Sequence, residues 1–288
     1  MLGYTKKTPF PAQATGVAGS DAKLHLHRLL DPKTQEKYYT KIMERYMTFC
    51  ADAGKRDELL RRFSALEIGD GAKPDSPSAG GRPSLEALQS PDNKSVLSQI
   101  MMALRKLREG IVASKRCDDF AVQAYIFCIR LSVLVKQPES YHPAILYLLR
   151  ELHPQLPLTS VELQEIVSYL VLDAACRRRE LGEAYRIRHT YKLKDAKVDA
   201  VLHSLAHDNF VRFRHLRNSI DGHRARVLEF AEADMRMQTL KAFGRAYLGV
   251  DLAFLEAVTD RKWETLQKED GVGWELDDDR VVIRRIKR

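Results

Sequence analysis

Apolar residues recur at helical spacing along most of the chain, and this pattern constrains the fold more than any other feature. The clearest stripe consists of Val96, Ile100, Leu104, Leu107 and Ile111, at steps of three and four residues. Similar stripes predict amphipathic helices joined by short turns, and the nearly apolar stretch 120–135 predicts a buried central helix. Since no pair of such helices can bury its own apolar face, we predict an all-α fold built as a degenerate helical-repeat solenoid. A plain helical bundle is the structural alternative.

Changes in composition divide the chain into five predicted parts. Residues 1–20 are expected to be a flexible N-terminus, and residues 21–66 to form N-terminal helices. Gly, Pro, Ser and Asp dominate 68–84, so residues 67–90 are predicted to be a disordered linker or loop. A helical-repeat domain is predicted over 91–248 and a separate C-terminal module over 249–288.

Local signals predict where individual helices begin and end. Thr159 and Glu162 have the spacing of a capping box, and Asp195 can cap a helix that carries Val198, Val201, Leu202 and Leu205. Gly54 is expected to end the first helix, and Gly182 to close the helix that starts after Thr159. The sequence His-Asp-Asn at 207–209 predicts a tight turn between two helices.

The C-terminal module has the sequence order helix, helix, hairpin, which is typical of a winged helix. Residues 250–258, "VDLAFLEAV", predict a short helix with Leu252, Leu255 and Val258 on one face, and a second helix is expected between Asp260, as its N-cap, and Gly271. Two short runs around an Asp-rich turn after Gly271 predict a small β-hairpin. Trp263 and Leu266 share a helical face, so both are expected in the module's core.

Overall composition favours a globular protein that acts in a reducing compartment. No apolar run is long enough to span a bilayer, and the first residues resemble neither a secretion signal nor an import signal. The four cysteines are scattered without CxxC spacing, so free thiols in cytoplasm or nucleus are expected rather than disulfides or zinc.

Most of the net charge of +8 is concentrated in one segment. Residues 176–226 hold thirteen Lys and Arg against six Asp and Glu, and Tyr185 and Tyr191 are interleaved. Basic residues can contact phosphates and exposed aromatics can stack on bases, so one interpretation is a nucleic-acid-binding surface. The alternatives are a solvated helical face and a binding surface for an acidic protein. The predicted nucleic-acid-binding residues are Arg177, Arg178, Arg179, Arg186, Arg188, Lys192, Lys194, Arg212, Arg214, Arg217, Arg284 and Arg285.

Motifs for catalysis or metal binding are absent from the sequence. There is no GxSxG, Walker loop or HExxH, so no catalytic residue, metal site or cofactor is predicted. His203 and His207 are four residues apart on one helical face but lack an obvious third ligand. A hydrolase without a recognisable motif is the alternative from another functional class, because catalytic triads are spatial rather than sequential.

One stretch resembles a known family. The sequence "AVLHSLAHDNFVRFRHL", from Ala200 to Leu216, is similar to the helix–turn–helix of PCI-domain proteins, especially the Sac/GANP mRNA-export group and related small lid subunits. In that family a long helix follows and leads into a winged helix; here it would be "RARVLEFAEADMRMQTLKAFGRAYL". Arg214 stands where a second aromatic residue is often found. The resemblance covers about Phe120 to the C-terminus.

The resemblance implies a non-enzymatic scaffold subunit of a multiprotein complex. Such proteins pair with other PCI-type subunits through their winged helices and can hold a small acidic polypeptide; in the mRNA-export group the paired winged helices also form a platform for RNA. The basic segment favours that group, hence a nuclear protein, also compatible with the cytoplasm, linked to mRNA export or processing. A lid-type subunit of the proteasome, the signalosome or the translation initiation factor is the alternative within this class.

Overall fold

The computed structural model describes residues 29–67 and 91–284, and it is mostly helical, which confirms the predicted all-α class. The predicted flexible N-terminus, the segment 68–90 and Arg285 lie outside the described residues. The chain divides into two compact units, one up to Ala124 and one from Tyr125 onward. Among the described helices none is long and apolar enough to cross a membrane.

The first unit is built from two long helices. Helix α1 spans Pro32–Glu67 and packs against α2, Pro91–Ala113. The predicted apolar stripe of α2 is buried from Ile100 to Ile111, whereas Val96 is half-buried. The expectation that Gly54 ends the first helix is wrong, since a single glycine costs a helix only about 1 kcal/mol and no capping residue follows it. Gly110 of α2 marks a close approach: a Cβ there would lie 2.8 Å from the carbonyl oxygen of Leu29.

Helix α3, Asp119–Leu134, contains the division between the two units and is buried along most of its length, as predicted. The helices that follow in the second unit are α4 (Pro138–Tyr147), α5 (Ser160–Leu172), α6 (Leu181–Thr190), α7 (Ala196–Ala206), α8 (Phe210–Ser219), α9 (Gly222–Leu228) and α10 (Glu232–Ala246). A π-helical turn extends α4 over Leu148–Leu152, and another extends α5 over Asp173–Arg177. Helix α5 packs against α6, α7 and α9.

At three helix starts, residues predicted from the sequence to cap a helix or form a turn accept hydrogen bonds from backbone N–H groups of the helix. Thr159 and Glu162 form the capping box, and the Asp195 carboxylate accepts the first backbone N–H groups of α7. The predicted turn at 207–209 is present, with Asp208 in the left-handed region and Asn209 capping α8. Gly182 does not close α5 but lies in the first turn of α6, because the π turn and the left-handed Arg179 already end the preceding helix.

Partly buried ion pairs connect the end of α3 with α9 in the second unit. Arg226 donates to the carbonyl oxygen of Leu134 and to the carboxylate of Glu229, which also accepts from Lys136 at 3.1 Å. Burial of Glu229 opposes its ionisation, but the hydrogen bonds from Arg226 and Lys136 outweigh it and hold the pKa of this carboxyl below its usual value. This carboxylate is therefore charged in the fold at neutral pH.

The chain after α10 forms a small module with three antiparallel strands. In order these are β1 (Gly249–Asp251), α11 (Leu252–Thr259), α12 (Trp263–Lys268), β2 (Glu275–Asp277) and β3 (Arg280–Val282). The strand order is β1-β3-β2, with Val281 opposite both Val250 and Leu276. The hairpin predicted after Gly271 is present as β2 and β3. The prediction that Val250 and Asp251 belong to the following helix is wrong: they lie in β1, and three residues are too few to show the alternation of a strand.

The module has a hydrophobic core that begins within α10. Trp263 and Leu266 are both buried in it, as predicted, and they pack with Leu255, Val281 and the α10 residue Phe243. The prediction that Asp260 caps α12 is wrong. Asp260 instead ends α11 in the left-handed conformation, and the first backbone N–H of α12 donates to the carboxylate of Glu256 at 2.9 Å.

Candidate nucleic-acid interface

The arginine triplet at 177–179 lies where α5 ends, and its first member is engaged by a buried acid. Asp173 is fully buried, and Arg177 binds both of its oxygens at 2.6 and 2.9 Å. The Tyr141 hydroxyl donates to the same carboxylate at 2.6 Å. The hydrogen bond from Arg177 to Asp173 raises the pKa of the guanidinium, against the smaller effect of its burial. Arg177 therefore serves the fold and offers no free charge to a phosphate.

The rest of the triplet and the arginines of α6 are also paired with carboxylates. Arg178 donates to Glu180 at 2.8 Å, and Arg179 lies 2.6 Å from Asp234. On α6, Arg186 pairs with Glu183, while Arg188 pairs with Asp199 of α7. All four pairs are at least partly exposed, so each stabilises the fold only weakly, but each reduces the positive potential of the surface.

Helix α8 carries three of the predicted arginines in different surroundings. Arg212 is exposed, and none of the described carboxylates pairs with it. Arg217 holds Glu232 at 2.6 Å, and both Arg217 and Arg214 approach Asp260, at 3.6 and 3.5 Å. Seven of the eleven described candidates are thus ion-paired; those without a carboxylate partner among the described residues are Lys192, Lys194, Arg212 and Arg284.

The tyrosines interleaved with the basic segment differ in exposure. Tyr185 is 43% exposed, whereas Tyr191 is half-buried, so one ring of the two is available for stacking. The structure therefore does not gather the predicted residues into one free basic groove. It distributes them over the end of α5, over α6 and α8, and, for Arg284, after β3.

A second cluster, missed by the sequence reasoning, surrounds β1. Tyr247, Leu248 and Phe254 are each about half exposed, at 48%, 51% and 52%, within eight residues of the chain. The rings of Tyr247 and Phe254 both pack against the ring of Phe243, with centroids 5.2 and 6.0 Å from it, so they share one buried neighbour. We call Tyr247, Leu248 and Phe254 the β1 patch.

Unpaired arginines adjoin the β1 patch. The Arg284 guanidinium donates to the carbonyl oxygen of Arg245 at 2.7 Å, and its backbone N–H donates to the carbonyl oxygen of Leu248. The side chain of Arg280 reaches Gly249, where an added Cβ would be 3.2 Å from its Nε. No carboxylate in the described part of the chain pairs with any of these three arginines. One feature of the sequence indicated an exposed aromatic ring at this position: Phe254 lies outside the apolar stripe of its helix, which consists of Leu252, Leu255 and Val258.

Comparison with models of known protein families finds no match, and comparison with curated proteins finds none either. In the described ranges no group of three or more His, Cys, Asp or Glu could hold a metal ion. The rings of His203 and His207 are in contact, with centroids 4.2 Å apart and planes tilted by 54°, but these two histidines remain a pair. The assignment of function therefore depends on the surfaces described above.

Proposed function

We propose that the chain is a scaffold subunit that assembles with another protein through the edge of β1. The observation that supports the proposal is that the exposed side chains of the β1 patch adjoin β1, an outer strand of the sheet. Strand β1 pairs with β3 alone, and within the described residues no strand covers its other side. An outer strand with exposed aromatic and aliphatic neighbours is suited to adding a strand from a partner, since backbone hydrogen bonds and buried apolar area then form together.

The order of elements supports a finer interpretation of this module as a winged helix. Helix α10, β1, α11, α12, β2 and β3 follow one another as helix, strand, two helices and hairpin, with the last strand in the centre of the sheet. Helices of the second unit pack mainly on neighbours in the chain, such as α5 on α6 and α7 on α8, which supports a degenerate helical repeat. Both features agree with the resemblance to PCI-domain proteins, whereas the long helix that the resemblance implies over 224–248 is divided into α9 and α10 by a turn at 229–231.

On this proposal the partner is another subunit of the same type, and the complex is one of the nuclear mRNA-export or mRNA-processing group. The lid-type complexes are the alternative. A small acidic polypeptide would be a further partner.

Replacing Leu248 and Phe254 together by Asp tests the assembly function. Both side chains are half exposed, so the double variant is expected to fold, while the charges should prevent a partner from covering the β1 patch. Tagged wild-type protein should be recovered from native extract in a complex of defined stoichiometry, measured by native mass spectrometry, and the variant should be recovered alone.

Val161→Asp is the matched control, because Val161 is 78% exposed on α5, away from this module. It should retain the complex. If the double variant, with an unchanged melting temperature, keeps the same complex as wild type, the β1 edge is not the assembly surface.

Single-stranded nucleic acid is a second candidate ligand for the same region. Arg245, Arg280 and Arg284 have no described carboxylate partner, and their contacts place them next to Leu248 and Gly249, within the same stretch of chain as the exposed ring of Tyr247. Cations that follow a backbone and aromatics that stack on bases are the two components of such sites. Binding should fall steeply with added salt.

Two triple variants distinguish this region from the basic segment. In one, Arg245, Arg280 and Arg284 are changed to Gln; in the other, Lys192, Lys194 and Arg212 are changed to Gln. Both remove three positive charges that are unpaired in the described residues. Fluorescence anisotropy with labelled single-stranded RNA at low salt should show a larger loss of affinity for the first. An equal loss would indicate a diffuse basic surface, and no binding by wild type would rule out this candidate.

A further inference from the structure

A cavity of about 270 Å³ lies among α8, α10 and α11, and neither proposed function uses it. Its charged lining consists of Arg214, Arg217, Arg236, Arg261, Glu232 and Asp260. Four cations thus face two carboxylates in a partly enclosed space. Such a concave site with converging polar groups is the usual setting for a small ligand.

Two of the four arginines are not fully satisfied within the cavity. Arg236 is paired with Asp270 at 2.9 Å in a buried ion pair, and Arg261 lies 3.6 Å from the exposed carboxylate of Glu269. Arg214 and Arg217 instead converge on the single carboxylate of Asp260, at 3.5 and 3.6 Å, distances too long for good hydrogen bonds. The carboxylate is itself 64% exposed. The strongest electrostatic partner of Arg214 is therefore loosely held and in contact with solvent.

Glu232 is the nearest carboxylate to Arg217 but does not form a well-aligned hydrogen bond with it. Its Oε1 lies 2.6 Å from Nε of Arg217 and still lacks a hydrogen-bond partner among the described residues, and Nη1 of Arg217 lies 3.6 Å from Asp260. Burial raises the pKa of the Glu232 carboxyl, although the charge of Arg217 opposes the shift. Glu232 therefore gives Arg217 a close but poorly aligned partner, whereas Asp260 occupies the position that an external anion would take.

An apolar cavity of about 260 Å³ adjoins the charged one on the other side of Arg214. Phe210, Val258 and the stem of Arg214 line both spaces. A ligand whose anionic group reaches Arg214 and Arg217 can therefore place an apolar or aromatic body against Phe210 and Val258.

We propose that this site binds a small organic phosphate, with the phosphate replacing Asp260 between Arg214 and Arg217. A phosphate monoester carries up to two negative charges and three acceptor oxygens, so it can accept from both guanidinium groups and match their two charges better than a single carboxylate does. This proposal is independent of the assembly function and of nucleic-acid binding.

The experiment uses phenyl phosphate as the probe, because it combines the phosphate with an aromatic body. Its affinity for the full chain is measured by calorimetry and compared with those of inorganic phosphate and benzoate. Phenyl phosphate should bind saturably and more tightly than either of the others. No saturable binding, or equally tight binding of benzoate, would overturn the proposal.

Three variants assign the binding to this cavity. Arg214→Gln should weaken phenyl phosphate binding about tenfold, since it removes one charge-assisted contact. Arg212→Gln, on the same helix but outside the lining, should leave the affinity unchanged. Asp260→Asn should tighten binding several-fold, because the competing carboxylate is lost and asparagine tolerates the left-handed backbone at this position (φ 55°).

Melting temperatures establish that each variant is folded. If Arg212→Gln weakens binding as much as Arg214→Gln, or if Asp260→Asn weakens it, the site is not the one proposed.

Discussion

Removing the Arg177 side chain tests whether the basic segment serves the fold rather than a ligand. The change is Arg177→Met, which keeps the aliphatic stem and removes the guanidinium. Asp173 would then remain fully buried without its bidentate partner. Breaking a buried ion pair from one side costs about 3–5 kcal/mol, because the remaining charge is uncompensated.

The structure places the expected cost at the lower end of that range. Tyr141 still donates to Asp173 at 2.6 Å, and Nε of Arg178 lies 3.6 Å from the same carboxylate. We therefore expect a loss of about 3 kcal/mol in the free energy of unfolding and a melting temperature lower by about 6–12 °C. Urea denaturation followed by circular dichroism measures the first quantity, and a thermal scan measures the second.

Arg186→Met is the matched control, because its ion pair with Glu183 is on the surface and the Arg186 side chain is 75% exposed. That variant should lose no more than about 0.5 kcal/mol. In the Arg177→Met background, Asp173→Asn should restore stability, since the buried charge disappears. Equal losses for Arg177→Met and Arg186→Met, or a further loss on adding Asp173→Asn, would refute the reasoning.

Three further changes have expected outcomes that stability measurements can check. Trp263→Ala should lower the free energy of unfolding by about 3–5 kcal/mol, since the ring fills the module's core. Gly110→Ala should lower the free energy of unfolding by about 1–3 kcal/mol, because the added Cβ overpacks against Leu29. Gly182→Ala should raise it by about 0.4–1 kcal/mol, because no atom lies within 4 Å of the added Cβ; equal effects of the two changes would contradict the close approach at Gly110. The pKa of the Glu229 carboxyl is lower in the folded than in the unfolded chain, so its ionised form stabilises the fold at pH values above the unfolded pKa. This stabilisation is lost as the pH falls through the folded pKa, so Glu229→Gln should flatten the acid side of a curve of unfolding free energy against pH.

Local chemistry explains which parts of the fold could be predicted. The stripe on α2, the capping box at Thr159 and the cap at Asp195 involve residues a few positions apart, so the sequence contains everything that determines them. The helix ends expected at Gly54 and Gly182 failed because glycine permits a helix end without requiring it.

The candidate site was less predictable, because charge counted along a segment omits the partners that folding brings in. Asp173, Glu232, Asp234 and Asp260 all lie outside residues 176–226, and each pairs with an arginine of that segment. A local surplus of cations is consequently reduced by carboxylates from neighbouring helices. The β1 patch was missed for a related reason: exposure of an apolar side chain depends on what packs beside it, which periodicity within one short helix cannot reveal.

The position of β3 in the sheet has a consequence for how the module is made. Its central strand follows both outer strands in the chain, and Val281 within it is fully buried in the core. During synthesis, β1 and the two helices after it leave the ribosome with no strand to pair with, and the sheet closes only once residue 282 has emerged. Until then the aromatic residues around β1 belong to a nascent chain without its core, which is when chaperones would be expected to engage it.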